Sequence, residues 1–369
     1  MPDNAKTTVA IIGAGISGLY LICELGILGG FALRLHDIDE SKLADIKKSG
    51  GMEVEGRGFA AVELVTAELR TAIDGADVIV LCTGGNFQET VARSLAPLLR
   101  DGQIILLIQG NTGGALVVRR ALDAAGCKAA VDVAEMDNYP YSNWRRGPTK
   151  IEPIVRKRWL QIGVFPATRT DAVFARLAPL FPTAVKAANV IYPSFTNANA
   201  MLHVANCVGN AAKIERGESY KFYSEGVTPA VAKLYEAINA ERVAVAAALG
   251  AAVPTLADWF DRVYGVRGKD LVESCQLLTT NKDGPYQATG TPKSLDHKFV
   301  SEDVPTGLIP MAAIGDAVGV DTPALDALIR TACLMAGRDF AAEGRTLQRL
   351  GLAGQNAAGI RRIVENGFG

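Results

Sequence analysis

Histidine is scarce: only His36, His203 and His297 occur in 369 residues, and no two of the six cysteines form a Cys-x-x-Cys pair. Cys23, Cys82, Cys127, Cys207, Cys275 and Cys333 are scattered through apolar surroundings. That spacing argues against structural zinc and a disulfide framework, and it fits reduced thiols in a cytoplasm. No metal site is expected. The chain has no uninterrupted run of 18 or more apolar residues, so no transmembrane helix is expected. Basic blocks are missing too. With a net charge of −1, nucleic acid and anionic membranes are excluded as main partners. The opening Met-Pro-Asp-Asn-Ala-Lys lacks the basic and then apolar order of a signal peptide, and a cytoplasmic protein is expected.

What is present is a globular composition, 49% hydrophobic and 21% charged, long enough for two domains. Short apolar runs alternate with helical patterns through the first half. Thr8–Ile12, Phe31–His36, Val62–Val65, Asp77–Thr83 and Gln103–Ile108 read as strands. Ser17–Gly26, a segment capped by Ser41 and running to about Lys48, Leu69–Ile73 and Glu89–Leu99 read as helices. The rhythm predicts an α/β fold whose N-terminal domain is a Rossmann-type, doubly wound parallel sheet. From about Pro193 alanine-rich helical patterns take over, at Ala198–Ile214, Thr228–Leu249, Leu256–Tyr264, Ala324–Gly337 and Asp339–Leu350. A C-terminal all-helical domain is expected, with the division at 190/191 and the active site in the cleft between the two. Asn281–Pro310 reads as a long polar loop, of the sort that is more often functional than decorative.

Gly13-Ala14-Gly15-Ile16-Ser17-Gly18 follows the first strand and opens a helix. Such a turn needs glycine for its tight bend, for close approach of a pyrophosphate and for helix–strand packing, and the helix N-terminus then faces the phosphates. Asp37 ends the second strand where a carboxylate grips a ribose 2′-hydroxyl, with Asp39 as the alternative. A carboxylate there repels a 2′-phosphate, so NAD is expected, with NADP possible and FAD the rival. Thr83 and Gly84 after one strand, and Gln109, Gly110 and Asn111 after the next, lie where an open α/β sheet binds ligands. Each such glycine-rich loop reads equally well as a plain turn.

Asn199, His203 and Asn206/Cys207 share one helical face. A histidine there can hand a proton to a carbonyl or imine receiving hydride. Alone, His203 reads more readily as a hydrogen-bonded core residue. Asp303 changes that balance, since an acid histidine needs a carboxylate to orient it, although Asp303 also fits as a turn cap. His297 and Lys298 fit a site for a substrate carboxylate, or a solvated charge pair beside Asp296.

In order along the chain, these features are the glycine fingerprint, Gln109-Gly110-Asn111-Thr112-Gly113-Gly114, Glu135…Pro140-Tyr141, Asn197-x-Asn199-x-x-x-His203, Phe222-Tyr223-x-Glu225-Gly226, and His297-Lys298-x-x-x-Glu302-Asp303-Val304-Pro305. The combination, from about Val9 to Leu352, resembles the octopine/nopaline (opine) dehydrogenases, which in turn resemble ketopantoate reductase. The resemblance implies NAD(P)H-dependent reductive condensation of a pyruvate-like α-keto acid with an amino acid. His203 is then the acid/base and Asp303 its partner, with Asn199, His297, Lys298, Gln109 and Tyr141 on the substrate side. Two departures stand out. The family's His-Arg-Tyr is here His297-Lys298-Phe299, which keeps the charge and loses the bidentate fork. Its Pro-Tyr-Ala-Cys-Arg is Pro140-Tyr141-Ser142-Asn143-Trp144, followed by Arg145 and Arg146. A 2- or 3-hydroxy acid dehydrogenase and a non-catalytic NAD-binding regulator remain alternatives. Small-molecule substrates and a homodimer are expected.

Overall fold

Strands that are apolar on both sides need helices over both faces, and the fold supplies them. The computed structural model describes residues 6–280, 286 and 290–369, leaving aside the side chains of 141–144 and 154–155. Its first six strands are β1 (Thr7–Ile12), β2 (Phe31–His36), β3 (Gly51–Val54), β4 (Gly58–Ala61), β5 (Leu64–Thr66) and β6 (Val78–Leu81). The other six are β7 (Ile104–Leu107), β8 (Asp132–Met136), β9 (Tyr141–Gly147), β10 (Lys150–Arg156), β11 (Leu160–Phe165) and β12 (Ala184–Lys186). Eight of them form one sheet in the order β12-β11-β8-β7-β6-β1-β2-β5, parallel except where β8 meets β11. Val9 of β1 lies opposite Leu33 on one side and Val78 on the other. The chain thus builds outward from β1 in both directions, and the crevice above β1 and β6 is where such sheets take ligands.

Alternate residues of the strands serve different cores. Val9, Ile11, Leu33, Leu35 and Val80 pack with Leu19, Ile22 and Leu25 from the helix Ile16–Leu28 and with Leu43 and Ile46 from Glu40–Ser49. On the opposite face, Ala10, Ile12, Ile79, Leu81, Ile105 and Leu107 belong to a core that continues without a break into Phe195, Met201, Tyr235 and Trp259. The helices that follow β12 therefore close this face of the sheet. Their ends obey local rules. Thr228 caps Pro229–Ala248 by accepting from Val231 N, with proline at the first helical position, and Gly337 ends Pro323–Ala336 at φ 61°. Among the described residues no helix is long and apolar enough to cross a membrane.

The structure departs from the sequence expectations in four places. A second sheet, β4-β3-β10-β9, is absent from the sequence reading, because its strands carry glycines and charges instead of apolar runs; Lys150 of β10 pairs with Glu53 of β3. The expected helix 198–214 breaks at Asn210, whose Nδ2 donates to Asn206 O and Gly226 O and so competes with the helical ladder. Asp339–Leu350 divides into Phe340–Glu343 and Leu347–Leu350, because Gly344 is extended (ψ 169°). In the expected loop 281–310, residues 281–285 and 287–289 lie outside the described residues. From Lys298 the stretch is helical, through Lys298–Ser301 and a π-helical turn Val304–Leu308 to Ile309–Val318.

Candidate active site

The three fingerprint glycines differ in what they permit. Gly13 sits at φ +113°, and a Cβ on Gly18 would lie 1.8 Å from the Gly13 carbonyl oxygen. Both are demanded by the turn itself. Gly15 has nothing within 4 Å of a would-be Cβ, so its backbone faces open space at the uncapped N-terminus of Ile16–Leu28. That bare, electropositive edge fits a pyrophosphate. Asp37 Oδ2 accepts from Ala14 N at 2.8 Å, Asp37 Oδ1 accepts from Asp39 N at 3.0 Å, and Lys42 Nζ lies 3.3 Å away. Asp37 is thus fixed against the turn, whereas Asp39 is spent capping the next helix through Ser41 N.

Gly84 and Gly85 lie above β6. Gly85 N donates to Glu302 Oε1 at 2.9 Å, and a Cβ on Gly84 would come within 3.0 Å of Glu302 Oε2. Among the described residues Thr83 Oγ1 is buried without a partner, an orphaned hydroxyl of the kind a bound group satisfies. Above β7, Asn111 adopts φ 58°; its Oδ1 accepts from Gln109 Nε2 at 2.7 Å and from Asn197 Nδ2 at 3.1 Å, and its Nδ2 donates to Thr306 Oγ1 at 2.7 Å. Gln109 and Asn111 therefore tie the cofactor loops to both later segments. Gly110 is required by packing, since a Cβ there would sit 2.4 Å from Glu135 Oε2.

His203 lies on the helix Asn199–Gly209, and its Nδ1 is 2.7 Å from Asp303 Oδ2 across 100 residues of sequence. Asp303 accepts, which puts the ring proton on Nδ1 and leaves Nε2 for other partners. The ring stacks on Phe299 at 3.9 Å between centroids. Phe299 thus forms an apolar wall against the imidazole. His297 Nδ1 accepts from Phe299 N and caps Lys298–Ser301; burial, with Lys298 beside it, pushes its pKa down. Lys298 is exposed and lines a cleft together with Ile16, Ser17, Tyr20, Tyr139 and Pro140. Asn199 is half-buried and its Oδ1 accepts from Asn138 Nδ2 at 3.2 Å. Tyr141 begins β9, and its side chain lies outside the described residues. Burial and the neighbouring Asp303 raise the Glu302 carboxyl above its ordinary value.

The sequence reading missed Arg345. It falls within the expected helix Asp339–Leu350; the structure buries it, and its guanidinium donates to Gly110 O, Thr112 O, Gly85 O and Gln88 Oε1. The glycine at 344, which interrupts the helical period, was the available signal. Glu135, one of the residues that carry the resemblance, accepts from Ser194 Oγ at 2.5 Å and Ala115 N at 2.6 Å, and burial pushes it up to about 7.

A family model for the alpha-helical domain of NAD/NADP octopine/nopaline dehydrogenases matches residues 186–336, and one for ketopantoate reductase (PanE/ApbA) matches 9–131. The chain is 32% identical to an opine dehydrogenase of Arthrobacter sp. (strain 1C), covering 97% of this chain and 99% of that one. In fold it is similar to an octopine dehydrogenase solved with NADH and L-arginine (TM-score 0.77, 21% identity, 98% of each chain). It is also similar to an NADP+-bound yersinopine dehydrogenase (TM-score 0.70, 16% identity, 99% of each chain).

Proposed function

Because the chain belongs to the opine dehydrogenase family, and is an NAD(P)-dependent oxidoreductase acting on CH–NH bonds, we propose that it condenses a pyruvate-like α-keto acid with the amine of an amino acid and reduces the resulting imine. The product is an N-(carboxyalkyl)amino acid. The observation that carries this reading is the 2.7 Å contact of His203 with Asp303, whose neighbour Glu302 meets the loop above β6.

His203 is the acid and base. With Nδ1–H committed to Asp303, Nε2 gives or takes the proton. Addition of the amine to the keto acid makes a carbinolamine, and its hydroxyl leaves as water when Nε2 protonates it; the C=N bond forms as the C–O bond breaks. When bound, reduced nicotinamide supplies the hydride that the imine carbon accepts. Lys298 offers a positive charge to a substrate carboxylate, and Asn199, His297, Gln109 and Tyr141 are the other candidates for the substrate side. Gly13 to Gly18 hold the pyrophosphate, Asp37 the ribose, and Thr83, Gly84, Gly110 and Asn111 flank the nicotinamide end. The Asp37 carboxylate repels a 2′-phosphate, which favours NAD over NADP.

The ketopantoate-reductase match over 9–131 favours one second reading, a hydroxy acid dehydrogenase that needs no amine. NADH oxidation with pyruvate and a panel of amino acids, each against pyruvate alone, separates the two. Oxidation only when an amine is added supports reductive condensation. Equal rates without any amine move the chain to the hydroxy acid dehydrogenases.

A further inference from the structure

Beside the cleft lies a buried acid–base cluster that the reaction above does not use. Asp137 and Asn138 follow β8, and Lys157 follows β10; Lys157 N donates to Pro140 O, which closes the base of the β9–β10 hairpin. Asp137 is 0% exposed and Lys157 only 3%. Asp137 accepts from Gln161 N, and no ion pair between it and Lys157 is found among the described residues; two buried opposite charges so placed add little stability compared with well-packed apolar residues, so their presence needs another reason.

The hydrogen bonds run in one direction. Lys157 Nζ donates to Asn138 Oδ1 at 2.7 Å, and Tyr139 N donates to the same oxygen at 2.8 Å. A flipped Asn138 amide would set its NH2 against both donors, so only one orientation satisfies the site. Asn138 Nδ2 is thereby aimed at Asn199 Oδ1, 3.2 Å away. With Oδ1 claimed, Asn199 is left with its Nδ2 as a donor, and no partner for that nitrogen is found among the described residues. Asn199 opens the helix that carries His203, one turn before it, so the two share a face. Tyr139 and Pro140, next in sequence to Asn138, line the cleft that Lys298 borders.

We propose that Lys157, Asn138 and Asn199 form a one-way hydrogen-bond relay that presents Asn199 Nδ2 to a carboxylate or carbonyl oxygen of the substrate beside His203, with Asp137 as the buried counter-charge of Lys157. Lys157 is a positioning residue: it acts through Asn138 and touches no reacting atom. Burial draws the lysine down to about 7 and pushes the aspartate up to about 7, a penalty that methionine and leucine in their places would not incur. The inference rests on the imine-reducing reading of the cleft.

The test is a double-mutant cycle, read as kcat/KM for the keto acid at saturating NADH and amine. Lys157→Met is expected to cost about 10-fold in the wild-type background and less than about 2-fold once Asn199→Ala is present, which is the coupling expected of groups in one network. NADH affinity is expected to stay within about 2-fold, while Tm is expected to fall, since Asp137 is left buried without its counter-charge, and rates are therefore read well below it. Asn138→Asp is nearly isosteric. It keeps the acceptor for Lys157 and loses the donor to Asn199, so it should show the same loss even if Lys157→Met folds poorly. Equal fold-losses in the two backgrounds, or no loss in either, overturn the relay. Wild-type turnover without an amine overturns the imine reading alone, because the same cycle then runs on the keto-acid reduction. If the wild type is inactive with every substrate, crystals of Asn138→Asp decide: the relay requires the Asn199 amide to move or turn, and an unmoved amide overturns it.

Discussion

Arg345 Nη1 donates to the Gly110 carbonyl at 2.6 Å across 235 residues of sequence. The same side chain reaches Thr112 O and Gly85 O, so one guanidinium from the C-terminal segment holds the loops above both β6 and β7. Removing it leaves buried carbonyls without donors, each costing about 1–3 kcal/mol. Arg345→Met is therefore expected to lower unfolding free energy by about 3–5 kcal/mol and weaken NADH binding about 10-fold. Denaturant titration and NADH fluorescence check the two effects, and unchanged NADH affinity would limit Arg345 to stability.

His203→Ala should lower kcat by about 10²- to 10⁴-fold while NADH binding stays intact. Asp303→Asn preserves the shape of the partner and upsets the ring tautomer, so it should also reduce kcat without altering NADH affinity. Steady-state rates beside direct NADH titration test both. A wild-type kcat in His203→Ala would remove the histidine from the chemistry.

Asp37→Asn keeps an acceptor for Ala14 N, which Asp37 engages at 2.8 Å, and loses the charge. The kcat/KM ratio of NADPH to NADH is expected to rise about 10-fold, equivalent to about 1.4 kcal/mol. If the ratio is unmoved, the ribose contact lies elsewhere.

Lys298→Arg restores a planar fork beside the cleft. The KM for the keto acid should fall several-fold with kcat nearly constant, and a flat KM across a panel of keto acids would argue that Lys298 does not hold that carboxylate.

Glu135 gives the protein a pH-dependent stability. Its pKa is raised by burial from 4.5 to about 7, so on raising the pH the unfolded chain loses this proton first. Stability from this group is full below about 4.5, declines up to about 7 and is flat above. Glu135→Gln lacks that decline. Relative to wild type it should gain up to about 3 kcal/mol between pH 5 and pH 8, read from urea midpoints. Parallel pH profiles would contradict the assignment.

The parallel sheet was legible because its strands are unbroken apolar runs, Val78–Leu81 and Ile104–Leu107 above all, and the nucleotide turn because its glycines have fixed spacing. His203 and Asp303 were legible as candidates by residue type, while their meeting is a tertiary fact with no local signature. Arg345 escaped because an arginine inside a helical pattern looks solvated, and Lys157 because burial of a lysine leaves no mark on its neighbours in sequence. The second sheet escaped for a different reason: Gly51 and Gly58 obscure the period-two pattern that would announce β3 and β4.

The core that runs from Ile12, Ile79 and Leu107 to Phe195 and Met201 sets a limit on dissection. A fragment ending near residue 190 would carry the whole nucleotide turn yet leave one side of its sheet wet, and it should aggregate instead of binding dinucleotide. Exchanging the helical half between relatives to change substrate range means transplanting the underside of the sheet with it.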